Sequence, residues 1–271
     1  MGEYLERRLG LVGKHAIVIG AAAGLGRAAS LELAAAGVAV SLADRNQEAL
    51  ERTATACRDQ GVAVRHGAFD ARDPELLRSF VADAGKANAG RADIVVNVVG
   101  GTFHQHFADS TPKAWDALIR TNFTWMLHSV HATIPLLRAA GGGSIINLSS
   151  IEGHRAAPGF AVYAGMKGAV ENFTRTMAVE LAPENIRVNT IACDMIPTEG
   201  MPITLSDEAL RIAIPMGRAG NDGDFGGCVL FLASDLSRYV TGTSLHPDGG
   251  AHASSGWFNW PDVGFRNFPP S

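Results

Sequence analysis

A tyrosine and a lysine four positions apart, in Tyr163-Ala-Gly-Met-Lys167, can handle a proton between them. On a helix, residues i and i+4 share a face, so phenol and ammonium would lie about one turn apart. A phenol with an ordinary pKa near ~10 is a poor base at neutral pH, and moving it to ~7 takes roughly 4 kcal/mol of preferential phenolate stabilisation. A neighbouring ammonium is one source of it. Only Lys14, Lys86, Lys113 and Lys167 are lysines among 23 basic residues, so the pair is not drawn from a lysine-rich background. Taken alone, the spacing also fits an ordinary helix face.

A second constellation is Gly20-Ala-Ala-Ala-Gly24-Leu25-Gly26, which follows a short apolar run and leads into an apolar helical pattern. Glycines in such a turn let backbone N–H groups approach a pyrophosphate, and the helix dipole favours the anion. Asp44 lies 18 positions beyond Gly26. A carboxylate there can accept both ribose hydroxyls of an adenosine and repel a 2′-phosphate, which favours NAD over NADP. Ala23 supplies no positive charge to offset that repulsion, although Arg45 is placed to do so. The competing reading of Asp44 is a helix N-cap. Asp70, followed by Ala71 at the end of a third apolar run, is a candidate for adenine contact, with capping as its alternative. Ser149-Ser150 follow Ile145-Ile146-Asn147-Leu148, where either hydroxyl meets a ligand or merely ends a strand.

These groups need elements to hold them. Strands are predicted over 15–20, 38–43, 62–66, 93–98, 144–148 and 186–191, and helices over 25–36, 46–60, 74–89, 112–138 and 159–181. Runs such as Ala16-Ile17-Val18-Ile19 show no period-two alternation, as expected for a parallel sheet covered on both faces. Gly37 and Gly61 sit at helix C-termini. No repeat or linker divides the 271 residues, so the reading is one α/β, doubly wound domain over 1–250, followed by an aromatic tail over 251–271 that packs on a subunit interface or the substrate entrance.

Composition narrows the function. With 46% apolar and 18% charged residues the chain is globular. A net charge of −4 with interspersed signs offers no footprint for nucleic acid. Cys57, Cys193 and Cys228 form no C-x-x-C pair, which points to a reducing cytoplasm. No apolar run reaches the ~18 residues of a membrane span. Arg7-Arg8 before an apolar stretch imitates a signal peptide, but Lys14 and His15 interrupt it and a first strand explains it better. His104-Gln-His106 is the closest-spaced histidine pair; no partner is placed by spacing, and no metal is expected.

With the glycine motif, Asp44, Asn122, Ser150 and Tyr163-x-x-x-Lys167 in this order, the chain resembles the short-chain dehydrogenase/reductases over about residues 10–250. The resemblance implies a Rossmann domain with a mainly parallel seven-stranded sheet, homotetrameric or homodimeric assembly, and a nicotinamide cofactor. It implies that Ser150, thirteen positions before Tyr163, binds the substrate oxygen and that Tyr163 is the acid/base. Lys167 would lower the tyrosine pKa and hold the nicotinamide ribose, and Asn122 would anchor a water relay to it. Cofactor contacts would come from Gly20, Gly24, Leu25, Gly26, Asp44, Arg45, Asp70, Ala71, Asn97, Val99, Gly100, Tyr163, Lys167, Ile196 and Thr198.

The chain departs from the family at three places. Asn97-Val98-Val99-Gly100 replaces Asn-Asn-Ala-Gly, Ile19 replaces a threonine, and Cys193-Asp194 replaces Pro-Gly. Asp tolerates left-handed backbone better than most residues, so Asp194 is read either as a conformational substitute or as a substrate-facing carboxylate. Glu152 and His154 are further substrate candidates, or plain loop polarity. Val98, Val99, Phe103, Met195, Met201 and the tail favour a bulky apolar secondary alcohol or ketone of hydroxysteroid, terpenoid or 3-hydroxyacyl type. Two alternatives stand beside this: an NAD-binding regulatory or scaffolding protein without turnover, and enoyl reduction, for which the family uses a longer Tyr-to-Lys spacing.

Overall fold

The computed structural model describes residues 2–200, 204–267 and 269–270. Met201 and Phe268, named above for the pocket and the tail, lie outside them.

After an amphipathic helix α1 (Gly2–Leu9), strands and helices alternate: β1 (His15–Ile19), α2 (Gly24–Ala35), β2 (Ala39–Asp44), α3 (Gln47–Arg58), β3 (Val64–Ala68), α4 (Pro74–Ala87) and β4 (Ile94–Asn97). Then come α5 (Pro112–Ile119), α6 (Trp125–Ala139), β5 (Gly143–Ser150), α7 (Ala161–Leu181) and β6 (Ile186–Cys193). The last part holds α8 (Asp207–Ala213), α9 (Asp222–Ala233), the two-residue β7 (Ser244–Leu245), α10 (Ala251–Ser254) and the hairpin β8 (Phe258–Trp260) and β9 (Gly264–Arg266). Seven strands form one sheet in the order β3-β2-β1-β4-β5-β6-β7, with every pairing parallel.

Alternate residues of each strand feed opposite cores. From β1, Ala16 and Val18 pack with α2, α3 and α9 through Leu33, Leu50 and Val229. Ile17 and Ile19 pack with α4, α6 and α7 through Leu77, Val130 and Val170. Complete burial of a side chain such as Ile17, fully inaccessible here, contributes ~1.5–3 kcal/mol. Both faces are thus apolar, which is why the strands read as unbroken apolar runs. The strand order reverses between β1 and β4, and such sheets bind ligands at the carboxyl ends flanking that reversal.

The helix predicted over 112–138 is broken: a π-helical turn, Arg120–Thr124, separates α5 from α6. The tail is shorter in extended structure than it is aromatic. Its hairpin packs against α8, while Trp257, Phe258 and Phe265 stay 50%, 38% and 50% exposed. Among the described residues no helix is long and apolar enough to cross a membrane.

Candidate active site

The β1–α2 turn is built as a backbone cradle. Gly20 has φ +96°, and a Cβ there would lie 2.9 Å from Val99 Cγ2. Gly26 is more constrained still, because a Cβ would fall 1.8 Å from the Gly20 carbonyl oxygen. Ala23, the N-cap of α2, offers no side-chain acceptor, so the first N–H groups of the helix remain available to an anion. An anion already sits there: Glu199 Oε2 accepts the Gly24 N–H at 2.9 Å. Sequence reasoning missed Glu199, which is brought to α2 by the loop after β6. Thr198 of the same loop lies over Gly24, and Ile196 is buried against the sheet.

Asp44 ends β2 with Oδ2 accepting the Ala22 N–H at 3.1 Å and Oδ1 the Asn46 N–H at 3.0 Å. It is not the cap of α3; Asn46 is, accepting from Ala49 at 3.1 Å. Arg45 is exposed beside it. Asp70 is likewise no cap, since Asp73 caps α4. Its carboxylate is paired with Arg72, which holds it well below the ordinary range, at about 2. Ala71 is buried next to it. Asn97 is buried, accepts from Ser129 Oγ at 2.7 Å and donates to Asn147 Oδ1 at 2.9 Å. Its side chain therefore locks the end of β4 from inside.

The π-helical turn aims Asn122 at the loop after β4. Its Nδ2 donates to Gly101 O at 2.8 Å and Leu118 O at 2.9 Å, and its Oδ1 accepts the Gly101 N–H at 3.1 Å. A Cβ on Gly100 would stand 3.1 Å from Asn122 Oδ1 and 3.5 Å from Lys167 Nζ. Lys167, buried on α7, donates to Leu148 O at 2.9 Å, and its Nζ lies 5.7 Å from the Tyr163 ring centroid. Of the two serines, Ser149 turns its hydroxyl to Lys167 O, at 3.3 Å. Ser150 is the one beside the Tyr163 phenol, and it also accepts the Glu152 N–H at 3.2 Å.

Electrostatics departs from one expectation. Burial raises the Tyr163 pKa above its ordinary value, and the Ser150 hydroxyl opposes that rise. Lys167 does not reverse it, and burial lowers the lysine's own pKa to about 8. Desolvation by closely packed protein thus outweighs the Ser150 hydrogen bond.

Two substrate candidates reach the phenol. Glu152 and Asp194 both act on it electrostatically, and Arg155, missed by sequence reasoning, lies 2.7 Å from the former and 3.6 Å from the latter. Burial raises the Asp194 pKa while Arg155 works against it. The left-handed residue of this loop is Met195, φ +49°, rather than Asp194; the Asp194 carboxylate accepts the Met195 N–H at 2.9 Å. His154 turns elsewhere, to Glu171, His246 and His252. Phe103 joins Phe107, Trp115 and Phe160 around an apolar hollow.

A family model described as enoyl-(acyl carrier protein) reductase matches residues 20–252. A tropinone reductase homolog of Arabidopsis thaliana is 32% identical, the alignment covering 90% of this chain and 94% of the relative. A 3-oxoacyl-[acyl-carrier-protein] reductase of Thermotoga maritima is 34% identical, over 89% and 98%. Among solved structures, carveol dehydrogenase from Mycobacterium avium in complex with NAD superimposes with a TM-score of 0.80 at 32% identity, over 89% and 98% of the chains. A 7α-hydroxysteroid dehydrogenase complexed with NADH and 7-oxo glycochenodeoxycholic acid gives 0.83 at 30%, over 89% and 94%. With the family model spanning residues 20–252 and relatives more than 30% identical over about nine-tenths of this chain, the chain belongs to the short-chain dehydrogenase/reductase family of oxidoreductases.

Proposed function

We propose that the protein interconverts a secondary alcohol and a ketone with NAD, on a bulky and largely apolar substrate. The observation that carries this is the meeting of Ser150, Tyr163 and Lys167 at the carboxyl ends of the strands, with Asn122 across Gly100. Glycines that leave no room for a Cβ, and a helix start already holding a carboxylate, fit a dinucleotide. Gly20, Gly24, Leu25 and Gly26 would cradle its pyrophosphate, and Asp44 its adenosine ribose. Asp70 and Ala71 would face the adenine, with Val99, Gly100, Ile196 and Thr198 toward the nicotinamide half.

When bound, the nicotinamide supplies the hydride acceptor or donor. Ser150 Oγ holds the substrate oxygen and Tyr163 Oη takes or returns its proton. Lys167 would favour the phenolate by its charge and hold the ribose, and Asn122, which fixes the loop around Gly101, would let a water link Lys167 to solvent. Glu152 and Asp194, bridged by Arg155, would meet a polar end of the substrate. The chain would work in the cytoplasm as a homotetramer or homodimer, residues 1–250 forming the catalytic domain and 251–271 contacting a neighbouring subunit or the substrate entrance. A panel of secondary alcohols and ketones, followed by NADH absorbance with NAD and NADP in parallel, tests the reading. Turnover of terpenoid, steroid or 3-hydroxyacyl members supports it; inactivity across the panel with either cofactor overturns it.

A further inference from the structure

We propose that His154, His246 and His252 form a binding site for one divalent transition-metal ion, with Glu171 as its carboxylate partner. One ligand nitrogen from each ring lies within 4.8 Å of the other two. The rings pack closely, His246 on His252 at 4.5 Å and 7°, with His154 at 4.8 Å and 5.3 Å from them. On one tetrahedral ion with bonds of ~2.0–2.1 Å, ligand nitrogens stand about 3.4 Å apart. Closing the triad thus takes about 1 Å of approach together with a rotation of one of the stacked His246 and His252 rings, so that both nitrogens aim at one ion, on side chains that only loops and a short helix carry.

Two further observations point to a ligand. His246 Nε2 is buried without a hydrogen-bond partner, an arrangement that costs free energy unless something fills it. Glu171 Oε1 stands 3.2 Å from His154 Nε2, and a carboxylate on the far nitrogen is what ligating histidines commonly have. Glu171 is itself fixed, accepting from Thr190 Oγ1 at 2.9 Å and Ser244 Oγ at 3.2 Å. An all-imidazole set selects zinc, nickel or copper over magnesium or calcium.

The site takes no part in the chemistry proposed above. It would tie the segment after β7 to the segment after β5, which begins at Ile151, next to Ser150. No sequence pattern could find it, because 92 positions separate His154 from His246. The pair singled out by spacing, His104 and His106, belongs to no three-ligand cluster among the described residues.

Equilibrium dialysis of the tag-free, chelator-treated full chain with Zn²⁺ alone tests it. We expect about one ion per chain, a cobalt-substituted form with a visible d–d spectrum, and no uptake of Mg²⁺. His252→Asn and His246→Asn should each abolish stoichiometric uptake, Glu171→Gln should weaken it ~10–100-fold, and His104→Asn should leave it intact. Absence of stoichiometric Zn²⁺ uptake, or uptake unchanged in His252→Asn, overturns the proposal. Should His246→Asn fail to fold, His252→Asn, at a half-buried position on α10, decides alone once its circular dichroism matches the parent. None of these measurements depends on nicotinamide turnover.

Discussion

The Glu199 carboxylate accepts the Gly24 N–H at 2.9 Å, at the start of the helix where a pyrophosphate would be held. The cofactor must displace this internal anion before it can use the same N–H group. Glu199→Gln keeps the side chain's shape and removes its charge, so NAD affinity should rise severalfold. Isothermal titration of both proteins with NAD checks this; an unchanged or weakened affinity contradicts it.

Asp44 already binds Ala22 and Asn46 through its two oxygens, and so its charge is fixed at the mouth of the cradle. NAD should bind at least ~10-fold tighter than NADP, about 1.4 kcal/mol. Asp44→Ala should narrow the gap, helped by the exposed Arg45. Equal affinities for the two cofactors in the parent protein would count against the assignment.

Tyr163→Phe removes the proposed proton carrier and keeps the ring. kcat should fall ~10²-fold or more while NAD affinity stays nearly constant. Because burial holds the phenol above its ordinary pKa, alcohol oxidation by the parent should accelerate as pH rises through neutrality. A variant with most of its turnover would sink the mechanism.

Lys167 should cost the fold stability. Its pKa falls from 10.5 to about 8 through burial, which corresponds to ~3 kcal/mol. Below about pH 8 the lysine is charged in both folded and unfolded chains, and the cost is present in full. Between about 8 and 10.5 the folded lysine is neutral while the unfolded one still carries its proton, so stability rises with pH over that window. Lys167→Met loses the hydrogen bond from the charged ammonium to Leu148 O, worth ~1.5–3 kcal/mol, and so should raise Tm by at most a few °C at pH 7 while abolishing turnover. The gain should shrink as pH passes from 8 to 10.5, as seen by calorimetry.

Deleting residues 257–271 removes the exposed Trp257, Phe258 and Phe265 and the hairpin on α8, while sparing His252. Exposed aromatic patches of this kind mark contact surfaces. The deletion should lower the solution mass or raise KM without affecting NAD binding. Unchanged sedimentation and kinetics would dispose of that role.

The parts legible in the sequence are those governed by local pattern. Buried parallel strands leave apolar runs, and β1 to β6 appear within about two residues of where such runs predict them. β7 has two residues and leaves no pattern at all. α9 begins with the capping box Asn221–Asp224, but three glycines within it mask the helical signal. In the site, Tyr163 and Lys167 are four residues apart and their relation could be read from spacing. Glu199, Arg155 and the histidine triad depend on loops that tertiary packing alone brings together.

The turn at Arg120–Thr124 has an effect beyond aiming Asn122. A wide turn carries one extra residue, and one residue advances a helix by about 100°. Upstream of it the chain lies against α7; downstream it lies against α4, β4 and β5. An uninterrupted helix would keep one apolar stripe in phase throughout and could serve a single layer. The added residue acts as a rotary offset, letting one length of chain brace the helix that carries Tyr163 and then seal the sheet beneath it.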